Sequence, residues 1–357
     1  MISRFIPKKY DVGLGPQPLI NNVYHKKALN KYGYKTVTFV CQTYFITREF
    51  DIILNIPILN YYILYFYSIY NCKILYIYFN GGSLYNTTYK YIESSLYKLA
   101  NVKTVVMPYG ADVQDLTRCN NIIFKNNIFK DYPTFKMMRT QISKKIDIWT
   151  RGADYIISGC EWVDYMYHWD KLLLSHFSID TEEVKPNIYY KFDKNKTIKI
   201  LHVPNHKNIK GTKYFIKAIE ELKSEGYNLE FIMVQRVPNS EVKKFISEAD
   251  IIADQLVIGW YAMYAIEAMA MGKPVICYLR EDLYNLYIEE GLIEKDEIPL
   301  INANIFNIKD VLRNILNNPN KILELGKKGR DFVLKHHSLE AIGKHFDEIN
   351  RYLLKRY

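Results

Sequence analysis

The chain has 357 residues, 49% of them hydrophobic, with 48 Lys and Arg against 38 Asp and Glu, for a formal charge of +10. That length suits two domains with sizeable cores. The five cysteines, Cys41, Cys72, Cys119, Cys160 and Cys277, are widely spaced and form no CxxC pair. This argues against a metal cluster and for a reducing compartment.

The charge is uneven. Residues 1–180 hold 21 Lys and Arg against 13 Asp and Glu, and the remainder 27 against 25. The first half therefore suits an anionic partner, either a lipid surface, a phosphate-bearing acceptor or nucleic acid, unless the excess is chance in a Lys- and Asn-rich sequence. Met1–Tyr10 lacks the apolar core of a signal peptide. Ile52–Phe79 is strongly apolar and aromatic, but Asn55, Pro57, Asn60, Ser68, Asn71 and Lys73 interrupt it. It reads as buried or interfacial, not spanning.

Taken in order, Met1–Val12 reads as a strand feeding the loop Gly13-Leu14-Gly15-Pro16-Gln17-Pro18. A helix over Leu19–Tyr32 and a strand over Tyr34–Cys41 follow. Asp51–Ile56 is a strand, Ile58–Tyr70 an apolar helix, and Lys73–Phe79 a strand ending in Asn80-Gly81-Gly82-Ser83. A helix over Tyr89–Ala100 leads to the strand Lys103–Met107 and the turn Pro108-Tyr109-Gly110-Ala111-Asp112. Leu116–Tyr132, rich in Asn, reads as a long surface loop. Phe135–Thr150 is a basic helix and Ala153–Ser158 a strand. Three glycine loops after strand ends predict a doubly wound sheet with its functional loops on one edge.

The linker is expected in Val184–Lys196, dividing the chain into domains 1–183 and 184–357. A second α/β series follows, with a strand Ile198–Val203, a polar loop Pro204–Gly211, a helix Thr212–Glu225, a strand Leu229–Val234 and a helix Asn239–Glu248. Ile251–Ile258, Gly259, Tyr261–Met271 and Val275–Tyr278 then make a strand–turn–helix–strand unit. Ile308–Leu316, Ile322–Lys335 and Leu339–Tyr357 are helices, the last packing back on the N-terminal domain. The fold class is α/β, two Rossmann-like domains with an inter-domain cleft.

Several residues carry chemistry. His206, Lys207 and Lys210 lie in a strand-to-helix loop, where cations and helix amides suit a diphosphate; the plain alternative is a solvated basic turn. Glu267 sits among Ala265, Ile266, Ala268, Met269 and Ala270. A carboxylate so placed needs a partner, either a ribose diol or a buried Lys or Arg. Gly259 permits close backbone approach, and the amides of Ala262, Met263 and Tyr264 suit phosphate oxygens. Trp260 and Tyr261 suit stacking on a base or sugar, or equally ordinary packing. No Asp-x-Asp, P-loop, GxSxG or HExxH occurs, and Gly13–Gly15 lacks the third glycine of a nicotinamide site.

Together the Gly13-Leu14-Gly15 loop, Lys210-Gly211 and Glu267–Ile276 (EAMAMGKPVI) resemble the retaining glycosyltransferases of family four, with the GT-B fold. Gly81–Ser83 and Gly110–Asp112 extend the resemblance into the first half. It implies sugar transfer from a nucleotide diphosphate sugar with retention, with no required metal and no cofactor beyond that co-substrate. Glu267 then matches the acid holding the donor ribose, Lys210 the diphosphate lysine, and Gly15 the loop over the donor phosphates. Tyr109, Asp112 and Lys210 take catalytic positions, and Gly81, Gly82 and Ser83 the acceptor side. The family's diphosphate arginine falls near Asn205 or His206, where there is none, and the first acid of its Glu-x7-Glu pattern falls at Gly259. Tyr109 stands where many members have a histidine. With no acid at Gly259, a front-face reaction under domain closure fits better than a covalent intermediate.

The resemblance also implies a glycan or lipid-linked acceptor. The basic first half and Tyr61–Tyr70 suit one at a membrane surface, so the expected location is cytoplasmic, peripheral at the inner face. A nucleotide-sugar epimerase of the same plan and a non-catalytic sugar- or lipid-binding relative are the rival readings. Nucleic-acid binding is disfavoured, because no basic stripe is interleaved with stacking aromatics.

Overall fold

The computed structural model describes residues 2–44, 46–186 and 196–355. The chain divides into two compact units, one of residues 1–119, 137–178 and 339–357, the other of 120–136 and 179–338. The long stretch of the second unit starts at Ile179, with residues 120–136 joining it from earlier in the chain, and residues 187–195 of the expected linker lie outside the described residues.

The first unit opens with β1 (Tyr10–Leu14), α1 (Ile20–Lys31), β2 (Thr36–Val40), β3 (Ile52–Ile53), α2 (Leu59–Asn71), β4 (Cys72–Tyr78), α3 (Glu93–Leu99) and β5 (Lys103–Met107). α4 (Ile122–Asp131) belongs to the second unit. The first resumes along α5 (Phe135–Gly152) to β6 (Tyr155–Gly159) and β7 (Lys171–Leu173). The seven strands form one sheet in the order β3-β2-β1-β4-β5-β6-β7, every pairing parallel. A parallel sheet is covered on both faces, which is why β2 is buried at every position and β4 at all but Lys73. The order reverses between β1 and β4, the place where open α/β sheets receive ligands at their carboxyl ends.

The second unit runs β8 (Ile198–His202), α6 (Lys207–Lys210), α7 (Thr212–Ser224), β9 (Leu229–Met233), α8 (Asn239–Glu248), β10 (Ile251–Gln255), α9 (Met263–Ala270), β11 (Val275–Cys277), α10 (Glu281–Glu289), α11 (Ile308–Leu316) and α12 (Pro319–His336). Its parallel sheet has the order β11-β10-β8-β9, reversing between β8 and β10. α13 (Leu339–Leu354) returns to the first unit, where Ile342, Phe346 and Ile349 join Val12, Ile74, Tyr76 and Val105 in one core. Truncating a side chain buried like Phe346 costs about 3–5 kcal/mol. The fold class is therefore α/β with two Rossmann-like domains.

Three local expectations are corrected. Leu116–Tyr132 is not a long loop: Asn121 caps α4, its Oδ1 accepting from Phe124 N at 2.9 Å. The buried face of α4 is Phe124, Asn127 and Ile128, so an asparagine hides the apolar period. The polar loop Pro204–Gly211 contains the short helix α6, and β1 runs on through Gly13 and Leu14.

Candidate functional site

In the second unit, β8 and β10 are neighbours, and the loops leaving them meet at the reversal point. Lys210, at the end of α6, places Nζ 2.6 Å from Oδ1 of Asp254, which is buried near the end of β10. Burying such a pair costs desolvation that only good geometry offsets, so Asp254 fixes the lysine head in place. Two of the three ammonium protons remain for another acceptor. Beside them His202 is locked neutral between Ala253 O (2.8 Å) and Thr212 Oγ1 (2.9 Å), and burial pushes its pKa down to about 4.

Glu267 is buried in α9 and accepts from Asn239 Nδ2 at 2.7 Å. Burial pushes its carboxyl up to about 7, against the Asn239 hydrogen bond and the charge of Lys243. The neutral amide of Asn239, not a salt bridge, is thus the hydrogen-bond partner of this acid. The Tyr264 hydroxyl is buried without a hydrogen-bond partner; burial, then Asp254 and Glu267, raise its pKa. Lys210, Asp254, Tyr264 and Glu267 are therefore held in one small region. α9 has no side-chain cap at Ala262, which leaves its leading amides to other acceptors.

The turn before α9 is organised by Gln255. Its Oε1 accepts from Val257 N and Ile258 N (2.8 and 2.7 Å), and its Nε2 donates to Trp260 O and Tyr278 O (3.3 and 2.8 Å). Gly259 has φ +100, and a Cβ there would lie 2.6 Å from Cδ of Arg280. No acidic side chain fits at this position, because the Arg280 stem occupies the space. Stacking by the aromatic pair is excluded by burial. Trp260 is 1% exposed and packs on Tyr287, while Tyr261 is 0% exposed with its hydroxyl 2.9 Å from His337 Nε2. What the turn presents is backbone.

Residues around α4 brace both loops. Asn121 Nδ2 donates to Val257 O (2.7 Å) and Ile258 O (3.1 Å). Asp131 accepts from Asn208 Nδ2 (2.8 Å) and Ile209 N (2.8 Å). The Tyr132 hydroxyl hydrogen-bonds His206 Nε2, their rings 4.4 Å apart, and burial lowers the His206 pKa. Lys207 is exposed. No spacing in the sequence signals these braces.

In the first unit, the loops after β1, β4 and β5 lie on adjacent strands and are tied together. A Cβ on Gly15 would come within 2.1 Å of Phe39 O, so only glycine passes there. Gln17 Nε2 donates to Gly81 O at 3.0 Å. Asp112 accepts from the backbone N–H groups of Phe79 (3.1 Å), Tyr109 (3.0 Å) and Gly110 (2.9 Å), while burial pushes its pKa up to about 7. Glu93, which sequence reasoning missed, holds Gly82 N (3.0 Å), Leu84 N (2.7 Å) and the Tyr97 hydroxyl (3.0 Å). It too is buried and pushed up to about 7. Tyr109 accepts from Asn80 Nδ2 (2.5 Å), and Asn80 Oδ1 from Lys145 Nζ (2.9 Å). Ser83 Oγ is buried without a partner.

Residues 212–347 match the family described as glycosyl transferase-like. No curated protein matches the chain. Among solved structures, sucrose-phosphate synthase from Thermosynechococcus elongatus superposes with TM-score 0.60 at 15% identity, over 97% of this chain and 99% of that one. The Anabaena protein HepE in complex with UDP-glucose gives TM-score 0.58 at 10% identity, over 95% and 99%. A glycosyltransferase from Rickettsia africae gives 0.57 at 14%, over 98% and 100%. At such identities the likeness is one of fold. The chain thus has the two-domain GT-B fold, and its segment 212–347 is glycosyl transferase-like.

Proposed function

We propose that the protein transfers a sugar from a nucleotide diphosphate sugar to a glycan or lipid-linked acceptor, with retention, without a metal, as a cytoplasmic enzyme held peripherally at the membrane. The observation that carries this is Glu267, a buried carboxyl whose one hydrogen bond is to a neutral amide, beside Lys210 and the leading amides of α9. A carboxylate of this kind accepts from the two hydroxyls of a ribose, and a cation with helix amides takes the diphosphate. Two solved structures of this fold, HepE and the Staphylococcus aureus protein MnaA, hold UDP-glucose and UDP.

The donor then lies on the second unit, with Glu267 on the ribose. Lys210, His206, Lys207 and the backbone of Gly259–Tyr264 take the diphosphate. The bond from the anomeric carbon to the diphosphate breaks as the acceptor hydroxyl adds on the same face. Its proton passes to the departing phosphate oxygen. Lys210 and the helix amides stabilise the charge that develops there, at about 2–4 kcal/mol per well-placed donor. Gly81, Gly82 and Ser83 form the acceptor side, with Tyr109 and Asp112 in the catalytic positions beside them. The Arg280 stem over Gly259 favours a front-face course, since no carboxylate can stand there as nucleophile.

Thermal shift against UDP, GDP, ADP and CMP sugars tests the reading, because a ligand of the native state raises its melting temperature. One nucleotide class should stabilise the wild type and lose its effect in Glu267→Ala. No shift with any of them rejects the donor site. Binding without turnover over a broad acceptor panel leaves a non-catalytic sugar binder, and an epimerised donor would indicate the epimerase.

A further inference from the structure

The most unusual surface is on α2. Its sequence, Leu59 to Asn71, contains no charged residue, although one face is open to solvent. Leu59 (57% exposed), Ile63 (44%), Phe66 (53%) and Tyr70 (37%) recur at the spacing of one helical stripe. Ile58, at 72% exposed, extends the stripe at its N-terminal end, and Tyr89, Tyr91 and Ile92 are exposed on the neighbouring segment. Contact between the Tyr62 and Tyr89 rings, 6.3 Å apart, joins the two. A water-facing helix is normally rich in Lys and Glu, and a contiguous apolar surface of this kind marks an interaction site.

We infer that this face of α2 is where the protein lies on an anionic lipid bilayer. The inference deepens the peripheral placement proposed above and needs none of the donor chemistry. It rests on charge. Between Asp51 and Glu93 the only charged residues are Lys73 and Lys90, so the surface has no acid of its own. Lys90 and Lys144 both place Nζ near the Tyr91 ring, at 5.1 and 6.0 Å from its centroid. An adjoining groove of about 660 Å³, lined by Tyr61, Tyr62, Asn86, Thr87, Lys90 and Tyr91, offers the hydroxyls, amide and cation that a phosphate headgroup accepts from. A second copy of the chain fits poorly. A two-fold contact repeats the same patch on both sides and sets these lysines against each other.

The helix lies on the bilayer and does not enter it end-on. Its other face, Leu64, Tyr65, Ser68 and Ile69, is buried in the first unit, and no described helix is long and apolar enough to cross a membrane. Exposed apolar side chains beside tyrosine and lysine are the composition of an interfacial helix.

Flotation of the full chain with vesicles tests this, using phosphatidylcholine alone and phosphatidylcholine with phosphatidylglycerol. The wild type should float with the anionic vesicles and release in high salt. Ile63→Asp with Phe66→Asp should weaken binding about tenfold or more. Lys90→Gln and Lys144→Gln should each weaken it about fivefold. Far-ultraviolet circular dichroism and the nucleotide thermal shift, both unchanged, show that the variants are folded. A wild type that floats with neither vesicle overturns the inference, as does equal binding to both. So does a dimer in light scattering that the Ile63→Asp, Phe66→Asp variant dissociates. Vesicle binding without any nucleotide shift would reject the transferase reading and leave this one standing.

Discussion

The two sheets place acids at their carboxyl ends in opposite ways. In the first unit, Asp112 and Glu93 spend their oxygens on backbone N–H groups of the loops at the strand ends. In the second, Asp254 fixes one lysine head, and Glu267 accepts from one amide. Burial raises Asp112, Glu93 and Glu267 alike, to about 7, so the shift alone does not separate a loop-holding acid from a ligand-binding one. The partners do. A saturated carboxylate holds a shape, whereas one with spare lone pairs can take a ligand.

The largest effect should come from Lys210→Ala. It removes the cation proposed for the diphosphate, which should lower transfer roughly 10²–10³-fold. It also leaves Asp254 buried without its partner, at a cost of about 3–5 kcal/mol in urea unfolding. Adding Asp254→Asn should restore most of that stability and none of the transfer. Recovery of both together would mean that the pair is structural only, and the second cluster would then resemble the first.

Asp112→Ala probes the other side. It strands the backbone N–H groups of Phe79, Tyr109 and Gly110, at about 3 kcal/mol or more in total. Nucleotide binding by the second unit should be untouched. A fully stable variant with abolished transfer would instead make Asp112 a reacting group.

Glu267→Gln separates stability from binding. The folded-state pKa of about 7 lies above the 4.5 of an ordinary glutamate, so folding favours the protonated form. Stability from this group is therefore greatest below about pH 4.5 and falls as pH rises toward 7, by about 3 kcal/mol. The glutamine variant should lose that decline and melt higher than wild type at pH 8, while binding nucleotide about tenfold more weakly. A variant that melts lower at pH 8 would show that the ionised carboxylate is structurally satisfied, as in the first unit.

Much of this was legible in the sequence, and the pattern of what was not is physical. Ile308–Leu316 and Asn239–Glu248 carry clear apolar periods, and both helices have the bounds the sequence predicts. Glu267 stood out because its neighbours are small and apolar. Glu93 did not, since Glu-Ser-Ser-Leu-Tyr-Lys-Leu reads as an ordinary exposed helix, and its burial depends on loop amides brought to it by the fold. Gly259 read as a missing acid, and its φ of +100 together with the Arg280 stem across it explain the glycine. α4 was obscured for a related reason: an asparagine takes one of its buried positions.

That last helix supplies the smallest and most local test. Asp131 and Tyr132, at its end, hold α6 and His206, so they position the loop carrying Lys210 without facing a ligand themselves. Tyr132→Phe keeps the ring contact and removes one hydrogen bond, which should cost about 0.5–1.5 kcal/mol in unfolding. The imidazole then loses a partner while staying half-buried, so its orientation loosens, and donor affinity should fall only severalfold. Asp131→Asn should act in the same direction, because it weakens the acceptance from Ile209 N that fixes α6. If both variants reduce transfer as severely as Lys210→Ala, the brace is itself part of the reacting site. If neither changes donor affinity, the Lys210 loop is held by Asp254 and its own helix alone.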